Sequence, residues 1–250
     1  LDEGLLMDDR VVVTVNDHVA EVMLNRPDKF NALDVGMFHA LAEALQKLKD
    51  ERGVRVVVLH GSGDNFCAGI DLDVLRHGGE ETMRELLSPV DNTGATLAQW
   101  AAYGWRKLPM PVICALRGIA YGGGFQIAMG ADLRYAAPDV RMSIMESKWG
   151  LIPDMAISAT LRHLVPPDRL KELAFSADVF DAEEGLRLGT ITRIEEDQIE
   201  AARRTAVAIA ASRLLVRACP LPASSRAVPW STEVRMIGKP RVTLTACPKP

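Results

Sequence analysis

Two short glycine-bearing segments constrain this chain more than anything else in it. They are GSGDNFCAGIDL, residues 61–72, and RGIAYGGGFQIAMGAD, residues 117–132. Each follows a β-branched apolar run, Val54 to Leu59 in one case and Val112 to Leu116 in the other, and each leads into helix-compatible sequence. The pattern predicts two strand-to-helix turns in which small residues leave backbone N–H groups uncovered. Two such turns facing one another would aim two donors at one oxygen. That narrows the chemistry to substrates whose carbonyl oxygen gains negative charge.

The rest of the chain reads as elements around those turns. Val11 to Val15 and His18 to Leu24 predict a hairpin turning at Asn16-Asp17. Asp34 is placed to cap a helix whose apolar positions Phe38, Leu41, Leu45 and Leu48 step by three and four. Residues 80–108 read as mostly helical with breaks at Pro89 and Gly94, and Pro109 and Pro111 end the stretch. Asp132 to Ala137 and Arg141 to Ile144 are short strand candidates. Helical patterns follow at 156–164, 167–176, 181–188 and 196–217. Strand, strand, helix, repeated and then helices alone, implies an α/β core over 1–195 with a helical and irregular region over 196–250. Within that region residues 218–250 carry Pro220, Pro222, Pro229, Pro240, Pro248 and Pro250 and predict an irregular arm.

Composition excludes several classes. At 250 residues the chain is long enough for one large domain with a substantial core. A net charge of −4 lacks the basic footprint of a nucleic-acid binder. Cys67, Cys114, Cys219 and Cys247 lie far apart, without metal-ligand spacing, and read as free thiols of a reducing, cytoplasmic compartment. The acidic start LDEGLLMDDR has no apolar h-region, and no apolar run nears the ~18 residues of a membrane span.

Four segments in order, NRPDKFNAL (25–33), FCAGIDL (66–72), AYGGGFQIAMGAD (120–132) and MESKWGLIPD (145–154), resemble the crotonase, or enoyl-CoA hydratase/isomerase, superfamily from about Val11 to Ile194. The resemblance implies a crotonase-like spiral of ββα turns, assembled as a homotrimer or hexamer. It also implies an acyl-CoA thioester as substrate, with no separate cofactor and no metal. Carried over, the oxyanion donors are the N–H groups of Ile70 and Gly123; a backbone donor leaves Ile70 free to be apolar, and Gly123 opens a helix, where the dipole favours an oxyanion. Lys29 and Ala32, with Ala68, Gly69, Asp71, Leu72 and Gly122, align with the CoA-binding surface. Asp71 is also placed to cap the next helix. Gly122, Gly123 and Gly124 do not form a Gly-x-Gly-x-x-Gly dinucleotide loop.

The carboxylates separate the possible reactions. A hydratase resembling this chain carries one glutamate three residues beyond the middle glycine and a second opening Glu-x-x-x-Gly-x-x-Pro. Here those positions hold Gln126 and Glu146. An amide hydrogen-bonds water but does not exchange a proton near neutral pH, and losing an acid–base group costs ~10²–10⁴-fold. A single carboxylate is enough to shuttle a proton between two carbons and move a double bond. Trp149, Ile152 and Met155 suggest an apolar setting that raises the Glu146 pKa. Asp154 matches an acid of the family's dienoyl-CoA isomerases, or else caps a helix starting near Ala156. Met155, Ala156 and Ile157 stand where many relatives carry glycines and would fill part of the acyl channel. The alternatives are a hydratase in which Gln126 positions water, a non-catalytic acyl-CoA binder, and a hydrolase, for which no Ser/His motif is evident.

Overall fold

A hairpin sets the edge of the main sheet. In the computed structural model, which describes residues 10–90, 94–212, 214–216, 231–236 and 242–245, β1 (Val11–Asn16) pairs antiparallel with β2 (Val19–Leu24). Asn16 faces Val19, so the turn is Asp17-His18, one residue later than predicted. Both residues have positive φ, 45° and 70°, as the mirror-image turns that suit a right-twisted hairpin require. The helix α1 (Val35–Asp50) follows, its N-terminus closed by the Asp34 carboxylate accepting from the Met37 N–H at 2.8 Å.

Strand β3 (Val56–Gly61) begins two residues later than expected and is buried at every position. After it come α2 (Leu72–His77), α3 (Gly79–Leu86) and α4 (Leu97–Tyr103), so the predicted helical stretch is interrupted between Leu86 and Leu97, across Pro89 and Gly94. Strand β4 (Val112–Leu116) does not run straight into the second glycine turn, because the short β5 (Ile119–Tyr121) intervenes before α5 (Gly123–Ala128). Strands β6 (Leu133–Ala136) and β7 (Arg141–Ser143) repeat the step. Of 156–164 only α6 (Ile157–Thr160) is helical; α7 (Pro167–Ser176), α8 (Ala182–Leu188), β8 (Arg193–Ile194) and α9 (Gln198–Ala211) follow.

The main sheet has six strands in the order β1-β2-β3-β4-β6-β8, parallel from β2 onward. β5 and β7 pair parallel in an inner layer, which continues as single bridges between Cys67 and Ala120 and between Leu33 and Ile70. Each turn thus lays one strand in the outer sheet and one in the inner layer before a helix: the fold is the crotonase-like α/β spiral. Both faces of the sheet are covered, which is why its central strands read as continuous apolar runs. Val57, Leu59, Val112, Cys114 and Leu116 belong to the inner core with Phe38, Leu41, Phe66, Trp105 and Phe125. Val56, Val58, Ile113, Ala115 and Tyr135 pack under Ala201, Ala202, Ala206 and Ala210 of α9. Small residues on that helix let it approach the sheet closely.

The predicted helix over 196–217 ends at Ala211. Ser212 is already extended (φ −64°, ψ 137°), and the apolar Leu214–Val216 forms strand β9. Where an irregular arm was predicted, β10 (Ser231–Met236) and β11 (Val242–Thr245) pair antiparallel, and β10 pairs with β9 in a separate three-stranded sheet. The six prolines of that stretch, with Cys219 and Cys247, lie outside the described residues. Cys67 and Cys114 are buried free thiols, and burial pushes the Cys67 pKa up to about 12. Among the described residues no helix is long and apolar enough to cross a membrane.

Candidate active site

The loop after β3 is threaded between two partners. On one side the Phe66 N–H donates to Arg117 O, the Cys67 N–H to Ile119 O, and the Tyr121 N–H to Cys67 O, each at 3.0 Å. On the other, the Ala68 N–H donates to Phe30 O, the Leu33 N–H to Gly69 O, and the Asp71 N–H to Leu33 O, at 2.8–3.0 Å. This leaves the Ile70 N–H with no acceptor among the described residues. In the second turn the Gly122 N–H is taken by Ser143 O at 3.0 Å, and the next amide, that of Gly123, likewise has none. The two turns touch. A Cβ on Gly69 would stand 3.3 Å from the Gly123 nitrogen, and one on Gly124 would stand 2.4 Å from Cys67 O. Gly122, at φ 50° and ψ −119°, is in a conformation that L side chains rarely adopt.

Ile70 and Gly123, which carry these amides, both line a cavity of about 450 Å³. Lys29, Ala32, Ala68, Gly69, Asp71, Leu72, Gly122 and Glu146 line it as well, so the structure brings together the residues that the four motifs suggested. Gln126 and Asp154 are not in the wall. Gln126 lies fully buried behind it, its Nε2 donating to Glu146 Oε1 at 2.6 Å. Asp154 is exposed, and it does not cap α6: the N-cap is Ala156, without a side-chain hydrogen bond and at φ 63°. The charge of Asp154 still reaches Glu146.

Glu146 opens a 3₁₀ turn, Glu146–Trp149, separated from β7 by Ile144 and Met145. The side chain is buried, and its Oε2 has no hydrogen-bond partner among the described residues. Burial pushes its carboxyl above the ordinary carboxylate range; its own N–H and the Gln126 amide oppose the shift, and Asp154 reinforces it. The predicted apolar setting is partly right. Met155 is buried, with its sulfur 2.9 Å from where a Cβ on Gly123 would lie. Trp149 lines the cavity but is half exposed, and Ile152 points away, 75% exposed.

Two residues of the first motif act in ways that pattern alone did not show. Arg26 donates to Ala32 O at 2.6 Å and pairs with Asp71 at 3.1 Å and Asp34 at 3.4 Å, tying the 26–34 loop to the oxyanion turn. Asn31 is fully buried; its side chain accepts from the Arg26 N–H and donates to Ser62 O and Asn65 O. Its φ of 55°, after 51° at Phe30, is a left-handed pair that no glycine announces. Asp71 caps α2 as predicted, accepting from the Asp73 N–H at 3.0 Å. Burial works to raise its carboxyl, but that N–H and the Arg26 guanidinium outweigh it and hold the pKa down. Lys29 meets Asp73 at 3.8 Å at the cavity rim, where Arg76 adds a second cation. No serine, cysteine or histidine is in the described wall, and the buried Ser143 hydroxyl donates to Ala177 O. The described wall thus shows no Ser/His or Cys/His pair of the kind the hydrolase alternative calls for.

The comparisons agree with one another. The model of the family described as enoyl-CoA hydratase/isomerase matches residues 14–220. The mouse mitochondrial Delta(3,5)-Delta(2,4)-dienoyl-CoA isomerase is 32% identical over 80% of this chain and 62% of its own length, so the chain spans less than two thirds of that relative. The carnitinyl-CoA dehydratase of Salmonella typhimurium is 32% identical over 85% of this chain and 82% of its own. The solved structure of an enoyl-CoA hydratase from Mycobacterium smegmatis superimposes with a TM-score of 0.72 at 27% identity, covering 80% of this chain and 76% of that one.

Proposed function

The chain belongs to the enoyl-CoA hydratase/isomerase family, and we propose that within it this protein moves a double bond along an acyl-CoA thioester. The observation that carries the reading is Glu146, a buried carboxylate whose pKa burial pushes up, at the wall of a cavity that Ile70 and Gly123 also line; the other buried carboxylate of that wall, Asp71, is held by Arg26. In this reading the thioester oxygen sits between the N–H groups of Ile70 and Gly123. Glu146 takes a proton from the carbon next to the carbonyl of a 3-enoyl thioester, and the electron pair of that C–H bond delocalises onto the thioester oxygen as a dienolate. Glu146 then gives the same proton to the carbon two positions along. The double bond ends conjugated with the carbonyl, and the carboxylate is regenerated. No step calls for a second acid, in keeping with the amide at Gln126.

Lys29 and Arg76 at the rim supply positive charge for the phosphates of the CoA moiety. Met155, against Gly123, fills space at the acyl end. A homotrimer or hexamer is part of the same reading. It is supported by the strongly exposed Ile152 and by Phe175, 78% exposed, whose carbonyl is joined to Ser147 of the 3₁₀ turn by a hydrogen bond. Sedimentation gives the mass that tests it.

One observation favours hydration as a second reading. Gln126 Oε1 and Glu146 Oε2 are both buried acceptors without a donor among the described residues, and each could take a hydrogen from water. Incubation with matched 2-enoyl- and 3-enoyl-CoA, following double-bond position and water addition together, separates the two. Glu146→Gln is expected to keep acyl-CoA binding and lower turnover by roughly 10²-fold or more. Turnover at the parent rate would reduce Glu146 to a structural residue and leave a binding protein.

A further inference from the structure

The two oxygens of Glu146 are not equivalent. Oε1 accepts the Gln126 amide at 2.6 Å and stands 3.4 Å from where a Cβ on Gly122 would be. Oε2 is buried and accepts nothing among the described residues. An oxygen already holding a hydrogen bond is the poorer proton acceptor of the pair. Packing alone does not account for a glutamine here. Its Oε1 is buried without a donor among the described residues, a costly condition that an apolar side chain of the same size would avoid.

Resting on the reading of Glu146 as proton carrier, we propose that Gln126 is a positioning residue, whose amide occupies Oε1 and so makes Oε2 the one oxygen that takes up and returns the substrate proton. Without that clamp the carboxylate can rotate and present either oxygen, and the carbon-to-carbon transfer loses its fixed geometry. The donated hydrogen bond also favours the charged form of Glu146, against burial and against the negative charge of Asp154. Removing the donor therefore makes the base harder to ionise. Activity that depends on ionised Glu146 is then lost at a higher pH as the solution is acidified.

The test uses the whole protein and Gln126→Met, which keeps the volume and removes the amide. For migration of the double bond in a 3-enoyl-CoA, the acid limb of the kcat profile should move to higher pH by about one to two units, the worth of one hydrogen bond to a charged acceptor. At neutral pH kcat should fall about tenfold or more, with KM nearly unchanged. In the free protein, the Glu146 carboxyl band is assigned by isotope-edited infrared difference against Glu146→Gln. That band should titrate at higher pH by the same amount, a readout that needs no turnover. An acid limb and a carboxyl band both unmoved in a folded Gln126→Met would overturn the positioning role while leaving the shuttle standing. Parent-rate turnover by Glu146→Gln would overturn the shuttle, and this inference with it.

Discussion

At the scale of single residues, the contrast between Gln126 and Glu146 decides the chemistry, because the two side chains share one hydrogen bond and only one of them can carry a proton. Putting a carboxylate in the amide's place tests this directly. Gln126→Glu should raise addition of water to a 2-enoyl-CoA while Glu146 remains intact, and double-bond migration should change less. The gain is limited by the need for two neighbouring carboxyls, one of them fully buried, to reach separated pKa values. A parent protein that already hydrates 2-enoyl-CoA with a kcat of order 10² s⁻¹ would show that carboxylate counting misleads here. Glu146 and Gln126 were legible in the sequence because their motifs have a fixed spacing. Arg26 and Asn31 were not, although both sit inside a quoted motif. Their partners, Asp71 at 3.1 Å and the carbonyls of Ser62 and Asn65, lie more than thirty positions away, and nothing local marks such pairings.

At the scale of elements, the site depends on how closely α5 approaches the loop after β3. Gly124→Ala would drive a Cβ to 2.4 Å from Cys67 O and 2.7 Å from Cys67 Cβ, contacts that only a backbone shift relieves. We expect destabilisation of about 1–3 kcal/mol in urea unfolding. A larger loss of turnover should accompany it, because the same shift parts the two turns; activity lost only in proportion to folded protein would argue against the coupling. The outer strands and the long helices were readable, since continuous apolar runs and three-and-four spacing encode them. The inner layer was harder. β5 and its partner β7 have three residues each, and the layer continues only as single bridges at Cys67 and Ile70, too short for any period to emerge. Strand β9, Leu214–Val216, was read as helix because an apolar run that short fits either state.

At the scale of the whole molecule, α9 is joined to the sheet by apolar packing and by one charged cluster. Arg203 Nε meets Glu21 on β2 at 3.0 Å, and the His60 Nε2 on β3 donates to the same carboxylate at 2.8 Å. The His60 hydrogen bond is the largest influence on Glu21; with Arg203 it outweighs burial and takes the Glu21 pKa from its ordinary value of 4.5 to about 2. A carboxyl held lower in the folded than in the unfolded chain binds fewer protons when folded. The stability it contributes is therefore present above pH 4.5 and is lost as the pH falls toward 2. Glu21→Gln should lower the urea midpoint at pH 7 and narrow the difference between parent and variant at pH 3; a difference independent of pH would mean the cluster acts through shape alone. The threading of the loop after β3 carries one more consequence. Most amides around the cavity are tied to an acceptor and should exchange slowly with deuterated solvent, as for Cys67, Tyr121 and Gly122. Those of Ile70 and Gly123 are tied to none among the described residues, so they should be fast-exchanging islands within a protected neighbourhood. A saturated acyl-CoA should slow these two amides most, and unchanged exchange on saturation with it would mean that no ligand oxygen lies between them.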